Sequence, residues 1–136
     1  MPTILFADDE LHNIEGLIET VKAEGHTVLT CRDASTALHM VTTRQVDCLV
    51  IDIMMDPGSS LGTQDPQTAG LAAIGAILKQ KPQQAIICCS VIGDRDVISI
   101  LKRRGVLYLR KGETSAESAL RMIEAKATGI FRDQRP

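Results

Sequence analysis

Five times along this chain a short apolar run stops at a polar or charged residue and gives way to apolar residues at helical spacing. That alternation constrains the fold more than any other feature. Side chains of a strand alternate between two faces, whereas those of a helix return every three or four residues, so each pattern excludes the other locally. Thr3 to Ala7 is the first run and stops at Asp8. Leu11, Ile14, Ile18 and Val21 then mark a helix that ends near Gly25. His26 to Cys31 reads as a second strand, and Asp33 is placed to cap a helix through Thr43, with Ala34, Leu38 and Val41 on one face. Cys48 to Ile51, bounded by Asp47 and Asp52, is the third run. A polar stretch from Asp56 to Thr68, rich in Gly, Pro, Ser and Asp, reads as loop.

The pattern then resumes. Leu71, Ile74, Ile77 and Leu78 stripe a helix from Ala69 to Gln80, and Ala85 to Cys89 is a strand that stops at Ser90. Asp96 to Arg104 reads as a fourth helix with Gly105 at its C-terminal cap. Val106 to Arg110 is the fifth strand. Thr114-Ser-Ala-Glu117 reads as a capping box for a last helix through Ala127. Strands that are apolar on both faces and separated by amphipathic helices predict a parallel sheet covered on both sides, an α/β doubly wound fold. One domain over residues 1–127 is expected, followed by a polar tail, 128–136, that frays.

Composition narrows the function. The net charge of −2 offers no field for nucleic acid. The cluster Lys102-Arg103-Arg104 reads as cations complementing the C-terminal end of the fourth helix. The four cysteines, Cys31, Cys48, Cys88 and Cys89, form no CxxC pair and lie in or beside apolar runs, so buried free thiols in a reducing cytosol are expected. No apolar run approaches the ~20 residues of a membrane helix, and the first residues lack a basic leader. The expectation is a soluble, cytoplasmic protein. His12, His26 and His39 are scattered and read as surface or helix residues.

In open α/β sheets ligands bind beyond the carboxyl ends of the strands. Those ends carry Asp8-Asp9-Glu10, Asp52, Ser90 and the segment Tyr108 to Lys111. Acids from two strands suit magnesium, a hard cation held by one or two carboxylates together with waters and phosphate oxygens. A carboxylate can also attack phosphorus to form an aspartyl phosphate. The transferred group then needs cations and hydrogen-bond donors around it, which Lys111 and the Ser90 hydroxyl supply.

On these residues, in this order, the chain resembles the receiver domains of two-component response regulators, over nearly all of residues 3 to 127. The resemblance implies a flavodoxin-like (βα)5 fold with strand order 2-1-3-4-5 and magnesium held by Asp8, Asp9, Asp52 and the backbone carbonyl of Met54. It implies Asp52 as phosphoacceptor, with Lys111 and Ser90 assisting, and a switch in which Ser90 moves toward the phosphate and Tyr108 swings inward. The implied partners are a sensor histidine kinase or phosphotransfer protein and a downstream effector. The effector, or a second copy in a homodimer, would bind the face of the fourth helix, fifth strand and fifth helix. Self-catalysed phosphorylation and dephosphorylation at most, rather than an enzyme's turnover, are expected.

The chain departs from that family's pattern at three places. The connection after the third strand is about ten residues longer than usual, with Pro57 five residues after Asp52 and the matching glycine at Gly70. Gly112 follows Lys111 where the family has a cis proline; a non-proline cis bond costs about 2.5–4 kcal/mol, so a trans exit is expected. Val91 follows Ser90 where alanine is common, and its extra methyl groups narrow access to the phosphoryl group. Two rival readings fit less well: a degenerate receiver that binds partners without being phosphorylated, and a magnesium-dependent phosphohydrolase. Haloacid-dehalogenase-like hydrolases place a second acid two residues after the nucleophile, where this chain has Met54.

Overall fold

The computed structural model describes residues 1–91 and 93–129. Strands β1 (Thr3–Ala7), β2 (Thr27–Cys31), β3 (Cys48–Ile51), β4 (Ile86–Ser90) and β5 (Leu107–Arg110) alternate with helices α1 (Glu15–Ala23), α2 (Ala34–Thr43), α3 (Ala69–Gln80), α4 (Arg95–Arg103) and α5 (Ala116–Thr128). All strand pairings are parallel and the order is β2-β1-β3-β4-β5. This is the flavodoxin-like arrangement expected from the sequence.

The apolar runs work because each strand feeds two cores. Leu5, Ala7, Leu49, Ile51, Ile86 and Cys88 face one side, where they meet α2, α3 and α4 through Ala37, Val41, Ile74, Ile77 and Leu101. Ile4, Phe6, Val50, Ile87, Cys89 and Leu109 face the other, against Ile18 and Val21 of α1 and Leu120 and Ile123 of α5. Burying one such aliphatic side chain contributes about 1.5–3 kcal/mol, so both faces of the sheet favour a covering layer of helices. All four cysteines are free and buried. Among the described residues no helix is long and apolar enough to cross a membrane.

Several local expectations change. The segment after β1 starts as a 3-10 turn, Leu11–Ile14, and becomes α-helical only at Glu15. The α4 cap is Asp94, whose carboxylate accepts from the amides of Asp96 and Val97, so α4 begins at Arg95 rather than Asp96. The cap of α5 is Ser115, which accepts from the Ser118 amide, not Thr114. Both shifts have one cause. Consecutive polar residues at a helix start compete for the capping place, and the geometry of the preceding turn chooses between them. Asp33 caps α2 as expected, through the Thr36 amide at 2.7 Å. Gly105, at φ 76, ends α4, with its amide on the Lys102 carbonyl and the Val106 amide on that of Leu101. His26 is no surface residue: its Nε2 lies 2.8 Å from Glu124 Oε2 and its side chain is 9% exposed. Of the expected tail, residues 130–136 lie outside the described residues; Thr128 still belongs to α5 and Gly129 caps it.

Candidate phosphoacceptor site

Strand register builds the site. Ala7 stands opposite Ile51, so the residues that follow them, Asp8 and Asp52, leave the sheet side by side. The Asp52 amide donates to the Ala7 carbonyl at 3.2 Å, extending the ladder one residue past the strand. On the far side Ser90 pairs with Arg110, and the Lys111 amide donates to the Ser90 carbonyl at 2.9 Å. Lys111 is thereby aimed back across the strand ends. Its Nζ donates to Asp8 Oδ2 at 2.6 Å and to Asp52 Oδ2 at 2.7 Å.

The electrostatics follow from burial. The side chains of Asp8 and Asp52 are 3% and 8% exposed, and that of Lys111 is 13% exposed. Carboxylates this far from water need a counter-charge. Burial pulls the lysine ammonium down, but the hydrogen bonds and charges of Asp52 and Asp8 outweigh it and hold Lys111 above its ordinary value of 10.5. The remaining carboxylate oxygens bond to backbone: Asp8 Oδ1 accepts from the Glu10 amide at 2.9 Å, and Asp52 Oδ1 from the Met54 amide at 3.3 Å.

Asp9 is exposed, in contrast to Asp8. Its Oδ2 accepts from the amide of Asp56 at 3.1 Å. Burial raises its pKa above the ordinary 3.8; the Asp56 hydrogen bond opposes that rise, and the charges of Asp8, Glu10 and Asp52 add to it. A cleft of about 380 Å³ opens beside it, lined by Asp9, Asp52, Met54, Pro66, Val91 and Lys111 among others. Of the residues singled out from the sequence, Asp9, Asp52, Met54 and Lys111 line this cleft. Asp8 and Ser90 do not: Asp8 is turned to Lys111, and Ser90 is fully buried. Val91, 59% exposed, stands at the mouth. Tyr108 is half-buried against the α2–α4 core, with its hydroxyl 3.4 Å from the Ser90 carbonyl, and burial raises its pKa.

Among the described residues no three His, Cys, Asp or Glu side chains converge closely enough to enclose a metal unaided. Magnesium asks for less, since it keeps several waters and takes one or two carboxylates. Asp9 and Asp52, two hard-oxygen donors on one cleft with further acids nearby, fit that demand.

The exit from the site also differs from the proline-bearing pattern. None of the described peptide bonds is cis, and Gly112 takes φ 83, a left-handed conformation that glycine adopts without strain. Gly70 has a different need. A Cβ there would run into the backbone carbonyl of Asp52, and the Gly70 amide donates to the Ile53 carbonyl at 2.9 Å. The start of α3 thus packs directly on the chain that carries Asp52. The sequence reading missed the Asp56 amide and the walls made by Asn13 and Pro66. Backbone amides carry no residue signature, and the Pro66 wall depends on how the long loop folds back.

The fold and the strand-end chemistry together define a phosphoacceptor domain of the two-component type. The sequence model of the response regulator receiver domain matches residues 4–123, and the chain belongs to that family. Its members take a phosphoryl group in two-component signalling. No curated protein matches the chain. Among solved structures it is similar to a CheY-like response regulator receiver domain protein from Methanospirillum hungatei JF-1, with TM-score 0.80 and 16% identity over 98% of each chain. The receiver domain of Francisella response regulator 1452 gives 0.78 and 20%, over 96% of this chain and 99% of that one. A Burkholderia pseudomallei response regulator, solved with a phosphorylated aspartic acid, calcium ion and citrate, gives 0.72 and 16%, over 98% of this chain and 73% of that one.

Proposed function

We propose that Asp52 accepts the phosphoryl group, from a sensor histidine kinase, a phosphotransfer protein or a small acyl phosphate, in a magnesium-dependent reaction. The observation that carries this reading is the position of Lys111 Nζ, 2.7 Å from Asp52 Oδ2 and 2.6 Å from Asp8 Oδ2. A cation held there by two acids is placed to meet the negative charge that spreads over phosphoryl oxygens during transfer. An Asp52 oxygen forms the new bond to phosphorus as the bond to the donor nitrogen or oxygen breaks, and the leaving group departs with that electron pair. The product is an acyl phosphate on Asp52. Asp9 and Asp52, with Asp8 and the Met54 carbonyl nearby, are the residues that would hold magnesium. When bound it would help neutralise the charge on the phosphoryl oxygens, alongside the Lys111 ammonium. The phosphorylated Burkholderia protein, solved with a calcium ion, supports this pairing of aspartate and divalent ion.

The same reading takes Ser90 and Tyr108 as the switch. Ser90 is buried at the end of β4, and Tyr108 is joined to it through the Ser90 carbonyl. A new charge on Asp52 would bias that pair and alter the α4–β5–α5 face offered to an effector or a second copy. The protein acts as a phosphoacceptor rather than a turnover enzyme. Intact-mass and peptide mass spectrometry after incubation with magnesium and acetyl phosphate tests this. The expected result is one phosphoryl adduct on Asp52, absent with a chelator and absent in Asp52→Asn. No adduct with any donor would favour a phosphorylation-independent binding module, and sustained release of phosphate from simple esters would favour a hydrolase.

A further inference from the structure

We propose that the long loop after β3 is a strap that positions Asp9 for cation binding, and that Ser35 on α2 is the positioning residue that seats it. This rests on the reading of Asp9 as a cation ligand given above. Asp56, at the start of the loop, faces two ways. Its amide donates to Asp9 Oδ2 at 3.1 Å, while its carbonyl accepts from the Ala34 amide at 2.8 Å. A parallel bridge pairs it with Asp33. The next carbonyl, of Pro57, accepts twice from Ser35: from the amide at 3.0 Å and from Oγ at 2.7 Å. Ser35 Oγ in turn accepts from the Ser60 amide at 3.0 Å.

The first turn of a helix leaves its amides without intrahelical partners. Here the loop supplies two of the missing acceptors, and Ser35, only 7% exposed, uses its hydroxyl as donor and acceptor on the loop. Between them the chain passes Gly58, at φ 77, where a Cβ would lie 2.5 Å from Asp33 Oδ1 and 2.7 Å from Ser35 Oγ. Only glycine lets the backbone come this close. The seat on α2 therefore fixes the Asp56 amide.

That amide makes the one hydrogen bond to the Asp9 carboxylate among the described residues. An exposed carboxylate held in place needs less ordering when a cation arrives than one free to rotate. Outer-shell partners of metal ligands act in the same way, and losing one typically weakens metal binding about 10–100-fold.

Titration of magnesium alone into the full chain, followed by calorimetry, tests the strap. Ser35→Ala and Gly58→Ala are each expected to weaken magnesium binding about tenfold. Helical content by circular dichroism and the phosphorylation rate at saturating magnesium should stay unchanged. A general packing defect would lower that rate as well. Gly58 is in the loop and outside both cores, so its variant keeps the test open if Ser35→Ala folds poorly. In an Asp9→Asn background neither substitution should weaken binding further. Unchanged magnesium affinity in a folded variant overturns the strap, as does a lost maximal rate at unchanged affinity. A wild-type chain that binds no magnesium removes the reading of the site and the strap together. Wild-type binding that both variants retain removes the strap alone.

Discussion

Two carboxylates almost out of water share one ammonium in this protein, and Lys111 is that ammonium. At the residue scale the structure predicts a large penalty for its removal. Lys111→Met keeps most of the aliphatic stem but leaves Asp8 and Asp52 facing each other without a counter-charge. The expected loss is about 3 kcal/mol of folding stability at neutral pH, read from urea denaturation midpoints. A loss under about 1 kcal/mol would mean that water reaches these acids and that the pair acts like a surface ion pair. The lysine was legible as a strand-end residue from the sequence. Its double engagement was not, because one Nζ meeting Asp8 and Asp52 depends on how three separate strands are ordered.

At the scale of elements, β3 and α3 meet without any side chain between them at Gly70. A methyl group there would overlap the Asp52 carbonyl, and backbone on both sides can only give way by moving. Gly112 offers the contrast. It has open space around its missing Cβ, and only its φ of 83 favours glycine. Gly70→Ala is therefore expected to cost about 1–3 kcal/mol and also to slow phosphorylation by acetyl phosphate, because Asp52 is displaced. Gly112→Ala should cost about 1–2 kcal/mol from strain alone. Equilibrium denaturation and phosphorylation rates measured on both variants check the pair. A Gly70→Ala protein with wild-type stability and rate would mean that α3 does not press on Asp52. The helix starts show the limit of local reading. Asp33 caps α2, as its place in the sequence predicts, whereas Ser115 takes the place of Thr114 and Asp94 caps α4, since adjacent polar residues look alike until the turn before them is placed.

For the whole molecule, burial of four thiols links stability to pH. Burial pushes Cys31 and Cys48 up to about 12 and Cys89 up to about 11, and raises Cys88 as well, from an ordinary value of 9.0. A thiol whose folded pKa is raised keeps its full stabilising contribution below the unfolded value and loses it as pH climbs toward the folded one. Lys111, raised by its two acids, shifts stability in the same direction at higher pH. Stability in reducing buffer should thus be flat to about pH 8 and then fall by on the order of 1 kcal/mol per thiol for each further pH unit. Urea midpoints across that range measure it, and Cys48→Ala should flatten the alkaline arm. Stability that holds steady to about pH 10.5 would contradict the dry setting of these cysteines.

The amino-acid order alone determined the five βα units, the two-faced strands and the chemistry waiting at each strand end. Those are local properties, written as spacing of apolar residues and as the residue that stops each run. Family resemblance added the strand order. Tertiary structure decided what no spacing encodes: that Asp8 turns to Lys111 while Asp9 meets a backbone amide, that Ser90 lies buried while Val91 stands at the mouth, and that the long loop is tied to α2 through Ser35. Each of these is a contact between segments distant in sequence. Such contacts depend on how close the backbones come, and backbone amides and carbonyls are the same in every residue but proline.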